Sequence, residues 1–82
     1  MKLRVLFFAA LREITGTAEL DWPWEDPGAP VSLLLEQLYG RFPRLRDWDA
    51  ALLVAADCEY VGREDLLRPG QEVAVMPPVQ GG

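Results

Sequence analysis

The spacing of hydrophobic and polar positions changes along the chain, and each change marks an element. From Lys2 to Phe8 the pattern alternates. Leu3, Val5 and Phe7 share one side, and Lys2, Arg4, Leu6 and Phe8 share the other, as in a half-buried strand. Ala9 to Ile14 reads as a short helical turn stopped by Gly16. Thr17 to Trp22 reads as a second strand, joined to the first by a wide hairpin connection. Pro23 to Pro30 holds three prolines and one glycine and reads as a loop. Val31, Leu34, Leu35, Leu38 and Phe42 then fall at the spacing of an amphipathic helix, with Ser32 as its expected N-cap. Pro43 biases Phe42 out of the helical region and ends the helix there; Gly40 lies close enough to that end to be tolerated. Leu52 to Ala56 is a third strand, turned by Asp57-Cys58 into a short fourth, Glu59 to Val61. Asp65 to Leu67 is expected to form a helical turn, and Arg68-Pro69-Gly70-Gln71 a reverse turn. Glu72 to Met76 is the last strand, after which Pro77 and Pro78, lacking N–H groups, cannot continue a ladder. One helix over one face of such a sheet makes a two-layer α+β domain over residues 1–76, with 77–82 as an extended tail.

Composition narrows the chemistry. Eighty-two residues make one domain with a modest core. Lys2 and Arg4 before the apolar run Val5 to Leu11 superficially resemble a secretory leader, but Arg12 and Glu13 end the run and no small-residue cleavage site follows. The interior run Ala50 to Ala56 is far below the roughly 20 residues of a membrane helix. A cytoplasmic protein with no membrane association is expected. The net charge of −5 and the scattered Lys and Arg residues argue against nucleic acid. With no histidine and one cysteine, Cys58, there is no Ser–His or Cys–His pair, no disulfide within the chain, no His-containing zinc site and no thiolate cluster. Cys58 reads as a turn thiol, and Trp22, Trp24 and Trp48 as core or core-edge packing. Asp47, Asp49, Asp57 and Glu59 read as a solvated face rather than a metal site. Arg12 stands between a partner contact and plain surface.

Several segments carry a family resemblance: Val5-Leu6-Phe7-Phe8-Ala9-Ala10-Leu11-Arg12-Glu13 with Gly16, Arg41-Phe42-Pro43, and Val54-Ala55-Ala56-Asp57-Cys58-Glu59-Tyr60-Val61. The strongest is Pro69-Gly70-Gln71-Glu72-Val73-Ala74 followed by Pro77-Pro78-Val79-Gln80-Gly81-Gly82. Together they resemble the small subunits of molybdopterin synthase, a family of ubiquitin-like sulfur carriers. Asp57, Gln71 and Gln80 depart from the family's usual Asn, Asp, and Ser or Thr. The resemblance implies a β-grasp fold, with the first and last strands parallel and adjacent at the centre of a mixed sheet. It implies that Gly82 is adenylated by a ubiquitin-activating-type adenylyltransferase using ATP, and converted to a thiocarboxylate with sulfur from a sulfurtransferase. That sulfur is then donated to cyclic pyranopterin monophosphate on the synthase large subunit, in a heterotetramer of two small and two large subunits. On this reading the chain is no enzyme by itself, holds no tightly bound cofactor, and leaves the catalytic residues to the large subunit. Sister readings are a carrier for thiamine thiazole or tRNA thiolation, a ubiquitin-like protein modifier, or a passive binding module.

The tail fits such a role physically. Six residues, Pro77 to Gly82, reach about 20 Å when extended. The two prolines stiffen its base, Val79 supplies one apolar anchor, and Gly81 and Gly82 carry no Cβ to obstruct a narrow channel. Alternation places Leu3, Val5, Phe7, Val73 and Val75 toward the helix. If the first and last strands are parallel neighbours, as the resemblance implies, Phe8 and Met76 lie together on the open face beside Pro77, with Tyr60 expected to extend the patch and Arg12 at its rim. These residues, with Pro77, Pro78, Val79 and Gly81, are the expected partner surface.

Overall fold

The computed structural model describes residues 1–25 and 28–78. Its main sheet has five strands: β1 (Lys2–Phe7), β2 (Glu19–Pro23), β4 (Leu53–Ala56), β5 (Glu59–Val61) and β7 (Glu72–Met76), in the order β2-β1-β7-β4-β5. β1 and β7 run parallel at the centre, with Val5 opposite Val73 and Phe7 opposite Val75; the other neighbours are antiparallel. The short helix α1 (Ala10–Thr15) lies in the connection from β1 to β2 and ends on Gly16, whose φ of 79° suits a residue without a Cβ. The main helix α2 (Val31–Arg41) crosses one face of the sheet, as the α+β, β-grasp expectation requires.

Alternation on the strands and the 3.6-residue period of α2 converge on one core. Leu3, Val5, Phe7, Val54, Val73 and Val75 meet Val31, Leu34, Leu35 and Leu38, all nearly inaccessible to solvent. Leu11 and Leu45 seal one end, and Trp24 and Leu67 pack at another. Trp24 is buried, its indole N–H donating to the Leu67 carbonyl at 3.0 Å, while Trp22 and Trp48 pack half-buried against the core.

Several local expectations are corrected. Asp65 to Leu67 is not a helical turn. Leu66–Leu67 forms β6, which pairs antiparallel with β3 (Ala29–Pro30), so the Pro23–Pro30 segment is not wholly loop. A three-residue segment is too short for its period to separate helix from strand, and burial of Leu67 beside Ala29 decides it. Pro23 ends β2, an edge strand, where its missing N–H costs no ladder bond. Ser32 is not the N-cap of α2. Pro30 occupies that position, and the N–H groups of Val31 and Ser32 donate to the carbonyls of Asp65 and Arg63 at 2.9 and 3.0 Å. Burial of Val31 brings the helix start forward, and a distant loop satisfies the donors that a side chain was expected to take. A run of 3₁₀ turns, Pro43–Ala51, fills a stretch whose pattern pointed to no element.

Candidate functional site

The face of the sheet turned away from α2 is assembled by register. Its central row runs across all five strands: Glu19, Leu6, Ala74, Ala55 and Tyr60. Toward the start of β1, the next row holds Asp21, Arg4 and Glu72. Toward the end of β7, Met76 pairs with Leu53, and Phe8 continues β1 beside them, its N–H donating to the Val75 carbonyl at 3.2 Å.

These rows divide the face by chemistry. One corner is ionic: Lys2 Nζ lies 2.9 Å from Asp21 Oδ2, and Arg4 reaches Glu19 at 2.8 Å and Asp21 at 3.7 Å. The hydrogen bond from Lys2 holds the Asp21 carboxyl below its ordinary pKa. The rest of the face is apolar, formed by Leu6, Ala74, Ala55, Leu53, Met76, Phe8 and Tyr60. Phe8 is 43% exposed and Tyr60 71%, so no described segment covers them. The two alanines keep the middle of the face low between larger side chains. Pro77 and Pro78 follow at the apolar end, half-buried. Val79, Gln80, Gly81 and Gly82 lie outside the described residues.

Backbone geometry sets the rim. Ala9 takes φ 53° and ψ −132°, a conformation that L residues rarely adopt. It turns the chain so that the Leu11 and Arg12 N–H groups donate to the carbonyls of Phe8 and Ala9, both at 3.1 Å. Arg12 thereby lines a hollow of about 230 Å³ with Leu6, Phe8, Ala18 and Glu19. The structure therefore places Phe8, Met76 and Pro77 together, with Tyr60 on the same face and Arg12 beside Phe8. Leu53 and Ala55 belong to the same face and went unnoticed in the sequence. Only the β4 register with β7 and β5 reveals which side of β4 looks outward.

Other candidate groups lie apart from this face or are engaged elsewhere. Cys58 is an exposed free thiol at the hairpin tip beside Glu72, where β7 begins. The tail leaves from the other end of that strand, about 16 Å away along five residues. The four carboxylates expected to form one solvated face do not act as a group. Asp57 accepts from the Glu72 N–H at 3.0 Å and from Gln71 Nε2 at 3.2 Å, joining two of the departures from the family pattern. Asp49 accepts from the Tyr39 hydroxyl at 2.5 Å and from Arg63 Nη1 at 3.1 Å. Those bonds lower its pKa, while burial first and then Asp49 raise that of Tyr39, which stays a protonated donor. Tyr39 itself was missing from the expected helix stripe. Among the described residues no cluster of His, Cys, Asp or Glu suits a metal ion, and no helix is long and apolar enough to cross a membrane.

Comparison with known proteins adds to this geometry. The ThiS family model matches residues 5–82. A molybdopterin synthase sulfur carrier subunit of Chlamydomonas reinhardtii is 37% identical, with all of both chains covered. The human protein of the same name is 35% identical, with 99% of this chain and 94% of that one covered. Among solved structures, a putative molybdopterin converting factor subunit 1 of Pyrococcus furiosus superposes with a TM-score of 0.84 at 30% identity, covering 96% of this chain and 99% of that one. SAMP1 of Haloferax volcanii superposes at 0.81 with 28% identity over the whole of both chains.

Proposed function

This chain belongs to the ThiS family, and we propose that it is the sulfur carrier subunit of molybdopterin synthase, with Gly82 as the group that carries sulfur. The observation that carries this reading is the uncovered apolar half of the sheet face, which ends where the tail begins. A carrier must hold a partner's surface while its terminus reaches into that partner, and this arrangement couples the two tasks.

The chemistry follows from the tail. A carboxylate is a poor electrophile. Attack of the Gly82 carboxylate oxygen on the α-phosphorus of ATP, with loss of pyrophosphate, gives an acyl-adenylate. The terminal sulfur of a sulfurtransferase persulfide then attacks the acyl carbon and expels AMP, and a thiol reductant cleaves the resulting acyl disulfide to leave the thiocarboxylate. In complex with the large subunit, that sulfur attacks a carbon of cyclic pyranopterin monophosphate and displaces an oxygen substituent, and hydrolysis of the resulting thioester returns the Gly82 carboxylate and leaves the sulfur on the pterin, on the way to the dithiolene. The chain supplies docking, reach and narrowness, and the catalytic groups belong to its partners. Phe8, Met76, Tyr60 and Arg12 dock; Pro77, Pro78, Val79 and Gly81 guide the terminus. The sulfur handling belongs in a reducing cytoplasm.

The test is removal of Gly82, with sulfur transfer assayed in the presence of adenylating enzyme, ATP and sulfur donor. Transfer should be lost, whereas Cys58→Ser should retain it. Full activity without Gly82 would end this reading. Intact mass of protein taken from cells should show an oxygen-to-sulfur exchange localised to Gly82. Likeness to SAMP1 of Haloferax volcanii and to the small archaeal modifier protein 1 of Methanosarcina acetivorans favours one second reading, attachment of Gly82 to lysines of other proteins. Isopeptide-linked Gly82 peptides in digests of cell protein would report it.

A further inference from the structure

The pole from which the tail departs differs in charge from the rest of the molecule. There the end of β1 meets the end of α2: the rings of Phe7 and Phe42 pack edge to face, centroids 5.9 Å apart, and Phe7 is registered with Val75, two residues before Pro77. The Arg41 guanidinium lies over the Phe42 ring, 5.5 Å from its centroid. The 3₁₀ segment starts at once, with the Leu45 N–H donating to the Phe42 carbonyl at 2.9 Å, so Arg44 sits beside the same junction. α1 packs against this segment and brings Arg12 to the pole. All three arginines are exposed, and none joins the ion pairs of the described residues, which engage Lys2, Arg4, Arg46 and Arg63. Glu13 and Asp47 are close in sequence to Arg12 and Arg44, Glu36 is the carboxylate nearest in sequence to Arg41, and Glu19 lines the hollow beside Arg12; Glu36 and Glu19 are engaged by Arg46 and Arg4. The other Asp and Glu residues outnumber the other Lys and Arg residues in a chain with net charge −5.

We infer that Arg12, Arg41 and Arg44 form a docking collar that recognises an acidic rim on the adenylating enzyme, around the mouth of the channel that admits the tail. The inference rests on the reading that Gly82 is adenylated. Distance decides what the collar acts on. Six residues, Pro77 to Gly82, reach about 20 Å when extended, more than twice the Debye length of roughly 8 Å at physiological ionic strength. The collar therefore does not act on the nucleotide phosphates at the tip; it acts on the surface touching the tail base. Attraction there offsets the repulsion that a chain of net charge −5 meets as it approaches an acidic partner surface. Three cations on an otherwise acidic molecule are too few for a nucleic-acid site.

The experiment measures pyrophosphate release against carrier concentration for the wild type, R41E/R44E and R41K/R44K. R41E/R44E is expected to raise KM about tenfold at low salt and by less than about threefold at roughly 0.5 M salt, with kcat nearly unchanged and a modest fall in the denaturation midpoint from loss of the Arg41–Phe42 contact. R41K/R44K keeps the charge and should stay within about twofold of the wild type. R12E, on a separate element, should raise KM about threefold, and decides the matter if the double variant proves unstable. Wild-type KM and salt dependence in the charge-reversed variants would overturn the collar. Absence of pyrophosphate release from the wild type would refute the adenylation reading itself. Retention of the wild type by a DNA or RNA oligomer, lost in R41E/R44E while adenylation is untouched, would reassign the collar and overturn this partner.

Discussion

Phe7 and Phe8 are neighbours with the same side chain and opposite surroundings, so truncating each in turn separates folding from docking. Phe7 is 2% exposed, packed between the sheet and Phe42. Phe7→Ala should cost about 3–5 kcal/mol of stability, through lost burial and the cavity left behind. Phe8 is 43% exposed on the open face. A phenylalanine presents about 200 Å², so about 90 Å² remains for a partner to bury, worth roughly 2 kcal/mol at about 25 cal/mol/Å². Phe8→Ala should therefore weaken binding to the synthase large subunit by roughly 2 kcal/mol, about thirtyfold in Kd. It should cost only about 1 kcal/mol in stability, since an exposed side chain has less packing to lose. Titration calorimetry with the large subunit gives the first quantity and urea unfolding the second. Normal binding by a folded Phe8→Ala would refute the assignment of this face. A loss of stability as large as that of Phe7→Ala would show that Phe8 is a core residue and would refute the geometric argument.

Three further changes test other parts of the structure. Gly81→Val should block adenylation while leaving the fold intact, because a β-branched side chain must enter the channel; normal pyrophosphate release would show that the channel is wide there. Cys58→Gly should raise stability by about 0.5–1 kcal/mol, because Cys58 has a φ of 71° where glycine fits without strain; sulfur transfer should be unchanged, and a loss of transfer would implicate the thiol. Tyr39→Phe removes the hydroxyl bonded to Asp49 and should cost about 1–2 kcal/mol at pH 7. The Asp49 pKa is lowered in the folded state from its ordinary 3.8 by the Tyr39 and Arg63 hydrogen bonds, so this contribution is complete above that value and fades as pH falls through the lower folded pKa. The stability difference between wild type and Tyr39→Phe should therefore begin to shrink as pH falls below about 4 and close only below the lowered folded pKa of Asp49, and a difference in urea unfolding at pH 3 as large as that at pH 7 would refute that linkage.

Sequence alone determined the elements whose pattern is long enough to have a period. Alternation placed Leu3, Val5 and Phe7, and Val73 and Val75, toward the core, and the 3.6-residue repeat placed the buried face of α2. Those assignments hold because one-sided burial ties side-chain direction to secondary structure. The Pro-Pro and Gly-Gly residues point to an extended tail, since the conformational limits of proline and the missing Cβ of glycine are properties of the residues themselves; residues 79–82 lie outside the described residues. Tertiary structure alone decided the rest. Leu66–Leu67 became a strand because Ala29–Pro30 lies opposite, and α2 starts on carbonyls of Arg63 and Asp65 that come from a loop far along the chain from Val31 and Ser32. Ala55 and Leu53 joined the open face through a register that no local pattern encodes. The arginine collar gathers side chains from α1, α2 and the 3₁₀ segment. Local periodicity reports which way a side chain points, but a surface built from several elements exists only once packing has brought their ends together.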